Sequence, residues 1–190
     1  MNQLGMLFEL EDRIFNCNKC KRLRDVTHIP MPHIYYNSSL YNVKLFFVGR
    51  NPGLEDDYSN VSEQEMMDIY HDRWYKCNFG KYIRSNFGES IVIEKMFFTN
   101  VAKCSSPENS QLTEEEMENC SEYLSQQIRI MQPKIIVTFG REAKEIVEKK
   151  INRNCPVVNL YHPSYVQGYL KDKSLLNIEK KKIESVKNLT

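Results

Sequence analysis

The chain has no apolar run approaching the roughly 20 residues that cross a bilayer, so no membrane-spanning helix is expected. It has no internal repeat and no low-complexity linker. That leaves no seam at which to divide 190 residues, and a single domain with a proper core is expected. Charge of one sign is also lacking. The formal net charge is +1, so the chain as a whole is no polycation, and any contact with nucleic acid must come from local basic patches. The opening Met1–Leu10 carries Glu9 and has no basic leader, unlike a secretory signal. Together these absences imply a cytoplasmic protein, nucleoid-associated at most.

What is present is an ordinary globular composition with one anomaly. Six cysteines in a chain expected to be cytosolic argue for metal or catalysis rather than for disulfides. Cys17 and Cys20 form a C-x2-C pair, and Cys104 and Cys120 lie far downstream with fifteen residues between them. Two thiolates from one short loop and two distant ones can surround one metal centre, which would staple distant parts of the fold together. Four thiolates suit either a [4Fe–4S] cluster or tetrahedral zinc, and free buried cysteines are the bland alternative. Cys77 and Cys155 fall outside the pattern and read as small apolar residues. Basic residues gather at Lys19, Lys21, Arg22 and Arg24, and again at Lys171, Lys173, Lys180, Lys181, Lys182 and Lys187. The second group reads as a basic tail from about residue 171, either a solvated, frayed helix or a contact for DNA or a protein.

Four β-rich runs end in glycine or polar turns: Val43–Val48, Lys95–Val101, Ile135–Phe139 and Pro156–Leu160. Helical patterns lie between them. Thr113 with Glu116 makes a capping box ahead of Glu114–Met131, Arg141–Lys150 follows the Gly140 turn, and Met66–Tyr70 belongs to another helix. Near-continuous apolar strands alternating with helices predict an α/β fold of three layers, α/β/α, with a short, mainly parallel central sheet. Such sheets bind ligands beyond the carboxyl ends of their strands. Asn51, Asn100, Gly140 and His162 follow or end those strands and should therefore meet in one crevice.

Three segments carry the chemistry: G-R-N-P-G (Gly49–Gly53), T-N-V-A-K-C (Thr99–Cys104) and H-P-S (His162–Ser164). With the cysteine spacing, the chain from about Cys17 to Tyr165 resembles the iron–sulfur uracil-DNA glycosylases, family 4. The resemblance implies a [4Fe–4S] cluster on Cys17, Cys20, Cys104 and Cys120, with zinc as the lesser alternative. It implies a base-excision DNA-repair enzyme that flips uracil, or a related deaminated or modified base, out of single- or double-stranded DNA. The enzyme would hydrolyse the N-glycosidic bond without a lyase step and work as a monomer.

The residues make chemical sense of that resemblance. An amide can donate to one atom of a base edge and accept from its neighbour, so Asn100 can pair with uracil O4 and N3–H and leave cytosine unsatisfied. Without the resemblance, an Asn bonding a turn backbone is the lesser alternative. The resemblance gives His162 a hydrogen bond to uracil O2, where negative charge grows as the base departs. Gly49 and Gly53 allow close backbone approach to a ligand. Here the chain departs from family 4, which usually has Glu where Arg50 stands. The G-x-N-P-G form looks like the thymine-DNA and single-strand-selective branches, whose asparagine positions the attacking water, and this assigns that role to Asn51. Glu55 and Asp56 are weaker candidates for water activation.

Phe79, ahead of Gly80, is the candidate stacking platform or a core residue, with Trp74, Tyr75 and Phe87 as lesser substitutes. Ser164 and Tyr165 would extend the loop toward DNA, or simply form a turn. The rivals are a non-catalytic iron–sulfur DNA-binding homologue and a zinc-stabilised interaction module.

Overall fold

The computed structural model describes residues 2–27, 29–36, 43–53, 60–151 and 154–189. Glu55 and Asp56 lie outside them. The elements run α1 (Gln3–Phe15), α2 (Lys21–Arg24), β1 (Tyr35–Tyr36), β2 (Leu45–Gly49), α3 (Glu63–Lys76), α4 (Asn78–Phe87), α5 (Glu89–Lys95) and β3 (Met96–Asn100). They continue as α6 (Glu114–Met131), β4 (Ile135–Phe139), α7 (Arg141–Lys150), β5 (Val157–Leu160), α8 (Pro163–Gly168) and α9 (Lys173–Lys187).

The strands form one sheet in the order β1-β3-β2-β4-β5. The pairs β2–β3, β2–β4 and β4–β5 are parallel, and the two-residue β1 runs antiparallel on the β3 edge. Alternation along β2 sorts the core into two layers. Phe46 and Val48 pack with Leu7, Leu10 and Ile14 of α1, Leu124 and Ile128 of α6, and Ile146 of α7. Leu45 and Phe47 pack on the other face with Met66 and Trp74 of α3, Ile83 and Phe87 of α4, and Ile183 and Val186 of α9. A strand whose successive side chains meet helices on opposite sides must be apolar at every position, which is why L-F-F-V reads as a continuous run.

Helix α6 starts at the Thr113–Glu116 capping box, as its sequence predicts, and α3 carries a second such box at Ser62 and Glu65. The observed strands β2, β3 and β5 start one or two residues later than their sequence patterns. The basic tail is not a frayed appendage. Its helix α9 buries Ile183 and Val186 against the sheet, and each such burial contributes about 2 kcal/mol.

From the central strand β2 the chain moves first to β3 on one side, then crosses to β4 on the other. This reversal makes the carboxyl end of β2, at Gly49, the place where a crevice opens.

Candidate active site

A cavity of about 660 Å³ occupies that crevice. Its lining includes Gly49, Arg50, Asn51, Pro52 and Gly53 after β2, Asn100 at the end of β3, Gly140 after β4, and His162 and Ser164 after β5. Phe79 contributes from α4. Asn51, Asn100, His162 and Phe79, singled out in the sequence for base and water chemistry, therefore share one chamber, while Glu55 and Asp56 lie outside the described residues.

The G-R-N-P-G loop is held by the segment that follows β3. Backbone N–H groups of Val101 and Ala102 donate to the carbonyls of Gly49 and Arg50, both at 2.9 Å, and Ser105 Oγ donates to the Pro52 carbonyl at 2.8 Å. Gly49 and Asn100 are register partners across β2 and β3. A Cβ at position 49 would stand 2.3 Å from Asn100 Oδ1, so the asparagine amide occupies space that only a glycine leaves free.

Asn100 is 4% exposed, and its side-chain amide has no hydrogen-bond partner among the described residues. Its backbone carbonyl, by contrast, is pinned. The buried Lys103 Nζ donates to it at 2.6 Å and to Thr99 Oγ1 and Gln127 Oε1, both at 2.7 Å. Burial pushes the Lys103 pKa down to about 7. A buried lysine with three oxygen acceptors fixes the backbone of Asn100 and leaves its side chain for a ligand. Lys103 was readable in T-N-V-A-K-C, but nothing in the sequence separates a buried lysine from a surface one.

His162 is the N-cap of α8, with Pro163 at the first helical position. The Ser164 backbone N–H donates to His162 Nδ1 at 3.3 Å, and Ser164 Oγ lies 2.6 Å from the same atom. With Nδ1 accepting, the proton belongs on Nε2, which makes Nε2 a donor. The H-P-S motif is thus a device for fixing a tautomer. Burial, and then the Arg50 charge, lower the His162 pKa and favour the neutral ring. Ser164 acts here through His162.

The Phe79 ring lies 5.3 Å from the His162 ring and stacks on Phe98 at 5.2 Å. It reaches this place because α4 starts hard against the end of α3. A Cβ on Gly80 would stand 1.9 Å from the Trp74 carbonyl oxygen, so the F-G pair depends on its glycine. Phe79 therefore serves as both core and cavity wall. Trp74 also lines the cavity, Phe87 is buried in the core, and Tyr75 donates to Glu89 on the surface.

Arg50 is the departure with the most visible consequences. Its Nε donates to Asn51 Oδ1 at 2.7 Å, its Nη2 donates to the Asn109 carbonyl at 3.0 Å, and its Nη1 lies 3.5 Å from Glu142 Oε2. Asn51 Nδ2 donates to the Pro52 carbonyl at 3.1 Å and to Ser106 Oγ at 3.3 Å. The Asn51 amide is thus held at both ends, with one lone pair of Oδ1 left over. Arg73, Cys77, Asn109 and Glu142 also line the cavity and carry no motif that would have revealed them.

The four spaced cysteines lie near enough to one another for their charges to interact. Cys104 and Cys120 are buried in one apolar cluster with Cys20 packed against it, and Cys17 stands at the edge of the neighbouring cluster. Burial raises the Cys104 pKa to about 12 and Cys120 to about 11, and further raising comes from charge interactions among the four sulfurs. Asn119 Nδ2 donates to Cys20 Sγ at 3.5 Å, and the Tyr123 hydroxyl bonds Cys17. Two deeply buried thiols whose ionisation burial opposes, with Cys17 and Cys20 beside them and a donor aimed at each of the latter sulfurs, form a donor set suited to a thiolate-ligated cation. Among the described residues no three metal-binding side chains converge on a single ion position. The basic residues around Cys20 are partly spent internally: Arg22 donates to both carboxylate oxygens of Glu116, and Lys19 faces Glu122 at 3.6 Å.

The chain is similar to several known proteins. A type-4 uracil-DNA glycosylase from Sulfurisphaera tokodaii is 30% identical over 176 residues, spanning 91% of this chain and 72% of its own length. The type-4 enzyme of Thermotoga maritima is 26% identical over 172 residues, spanning 83% and 81%. A solved structure of a mutant UNG from Nitratifractor salsuginis aligns over 95% of this chain and 97% of its own, at 14% identity and a TM-score of 0.46. The family model described as Uracil DNA glycosylase superfamily matches residues 37–182, and on that match the chain belongs to the uracil DNA glycosylase superfamily.

Proposed function

We propose that the protein is a monofunctional DNA-repair glycosylase that excises uracil from DNA and leaves an abasic site. One observation carries the reading. The Asn100 amide, nearly buried and without a partner among the described residues, shares a cavity with a histidine whose local hydrogen bonds leave Nε2 as the donor.

The roles follow from the atoms. Asn100 reads the O4/N3–H edge of a flipped uracil, and cytosine there leaves buried groups unpaired at about 1–3 kcal/mol each. Phe79 offers the face on which the base rests. As the N1–C1′ bond breaks, its electron pair passes to the base and charge spreads to O2, where His162 Nε2–H donates. Arg50 adds a fixed positive charge beside that developing anion. The free lone pair of Asn51 Oδ1 orients the water whose oxygen bonds C1′ and whose released proton neutralises the departed uracil anion through solvent. Cys17, Cys20, Cys104 and Cys120 would hold a [4Fe–4S] cluster. When bound, it supplies structural cross-linking, fastening the α1–α2 turn, the loop after β3 and α6 behind the cavity. Among the described residues no helix is long and apolar enough to cross a membrane. The proposed setting is the cytoplasm, on nucleoid DNA, with the protein acting as a monomer.

The test is single-turnover incubation with a uracil-containing oligonucleotide, followed by alkaline cleavage at abasic sites. Cleavage at uracil by the native chain, and a loss of about 10²–10³-fold in rate for His162→Ala, are expected. Retention of the intact oligonucleotide by the native protein would instead mark a non-catalytic binder.

A further inference from the structure

Directly beyond the cavity, three tyrosines form a ladder that the excision chemistry does not use. Tyr161 lies 5.5 Å from Tyr165, and Tyr165 stacks on Tyr169 at 6.2 Å with 24° between the ring planes. The rungs are four residues apart in the chain: Tyr161 precedes α8, Tyr165 lies within it and Tyr169 is its C-cap. Exposure rises outward, to 44% at Tyr165 and 76% at Tyr169. Successive aromatic rings open to solvent are a cost that a fold without use for them would avoid. The ladder begins beside His162, so the group that holds the departing base and the rings that lead away from it share one short turn.

Charge runs alongside. Lys171 and Lys173 follow Tyr169 and are exposed, and the segment from 171 to 187 carries six lysines against three acidic residues. Lys182 lies 5.9 Å from the Tyr161 ring centroid. Aromatic faces in file beside a basic strip match unpaired nucleotides, whose bases offer free π-faces and whose phosphates alternate with them. A duplex presents its bases already stacked and has no open face to give.

Resting on the glycosylase reading, we propose that Tyr161, Tyr165 and Tyr169 form a stacking track for unpaired bases flanking the excised nucleotide, giving the protein a preference for single-stranded DNA. Tyr169 is the outermost rung and lies away from the reacting atoms.

The test uses uracil-free labelled oligonucleotides, single-stranded and duplex, with fluorescence anisotropy. Tyr169→Ala is expected to weaken single-strand binding about tenfold and duplex binding less than about twofold, and Tyr169→Phe to restore the former. A 2-aminopurine placed among the flanking nucleotides is expected to be quenched by the native protein and not by Tyr169→Ala. Equal losses on both DNA forms, no loss on either, or an unquenched probe would overturn the proposal. Uracil release, measured separately, keeps the two readings apart. A protein that releases no uracil yet shows the single-strand effect keeps the track and refutes the glycosylase. One that releases uracil and is indifferent to Tyr169→Ala does the reverse.

Discussion

Gly49→Ala tests how the base-reading amide is held. The substitution adds one methyl group at the carboxyl end of the central strand, where its Cβ would stand 2.3 Å from Asn100 Oδ1. Ordinary contacts begin near 3.4 Å, so one partner must give by roughly 1 Å. The backbone of Asn100 cannot yield easily. Its residue is paired in register across the sheet, and its carbonyl is bound by a buried ammonium at 2.6 Å. The side-chain amide is the part free to move, and it must turn away into the cavity. Misplacing a positioning group by 1 Å can cost about 10²-fold in rate. That is the expected fall in single-turnover uracil release.

Stability should hardly change in Gly49→Ala, because the amide swings into open space and alanine is no worse than glycine in a strand. The decisive comparison is a double-mutant cycle. In an Asn100→Ala background the clash has no partner, so adding Gly49→Ala should change the rate little. A Gly49→Ala protein with native activity, or rate losses that simply multiply in the double variant, would refute the reasoning.

Three further outcomes are expected. The His162 imidazole, followed by NMR, should titrate below the ordinary histidine value of about 6.5, and Arg50→Ala should move its midpoint up. Because the folded pKa is the lower one, the unfolded chain binds more protons between the two values. His162's share of stability is therefore full above about 6.5 and is lost as pH falls through the folded pKa, which a pH series of chemical denaturation would read. Lys103→Met should cost about 2 kcal/mol by leaving Thr99, Gln127 and the Asn100 carbonyl short of a donor. That is about 4–8 °C in Tm by calorimetry, with slower uracil release than the stability loss explains. Cys104→Ala should lose iron and acid-labile sulfide together and melt earlier, whereas one zinc per chain in the native protein would replace the cluster with a zinc site.

Much of the fold was legible because the relevant forces are local and periodic. Strands that face helices on both sides must be apolar throughout, and capping boxes mark helix starts, so the three-layer sheet and the start of α6 follow from the chain alone. The carboxyl-end rule then places Asn51, Asn100, Gly140 and His162 together. What local pattern could not reveal was partnership. Lys103 reads as a surface lysine until the fold buries it, and the last lysine-rich segment reads as a loose tail until Ile183 and Val186 meet the sheet. Tyr165 reads as a loop tip or a simple turn until its ring is seen between those of Tyr161 and Tyr169.

Residue type and spacing alone determined which groups this protein has for chemistry, because donor capacity, charge and metal affinity belong to side chains before folding. Only the tertiary structure decided which of them are free to act. It ties the Asn51 amide to Ser106, holds Arg50 on Asn109 and Glu142, and pins Lys103 beneath Asn100 on Gln127. The reason is that a hydrogen bond spends a group's capacity, and whether it is spent depends on neighbours that are distant in the chain.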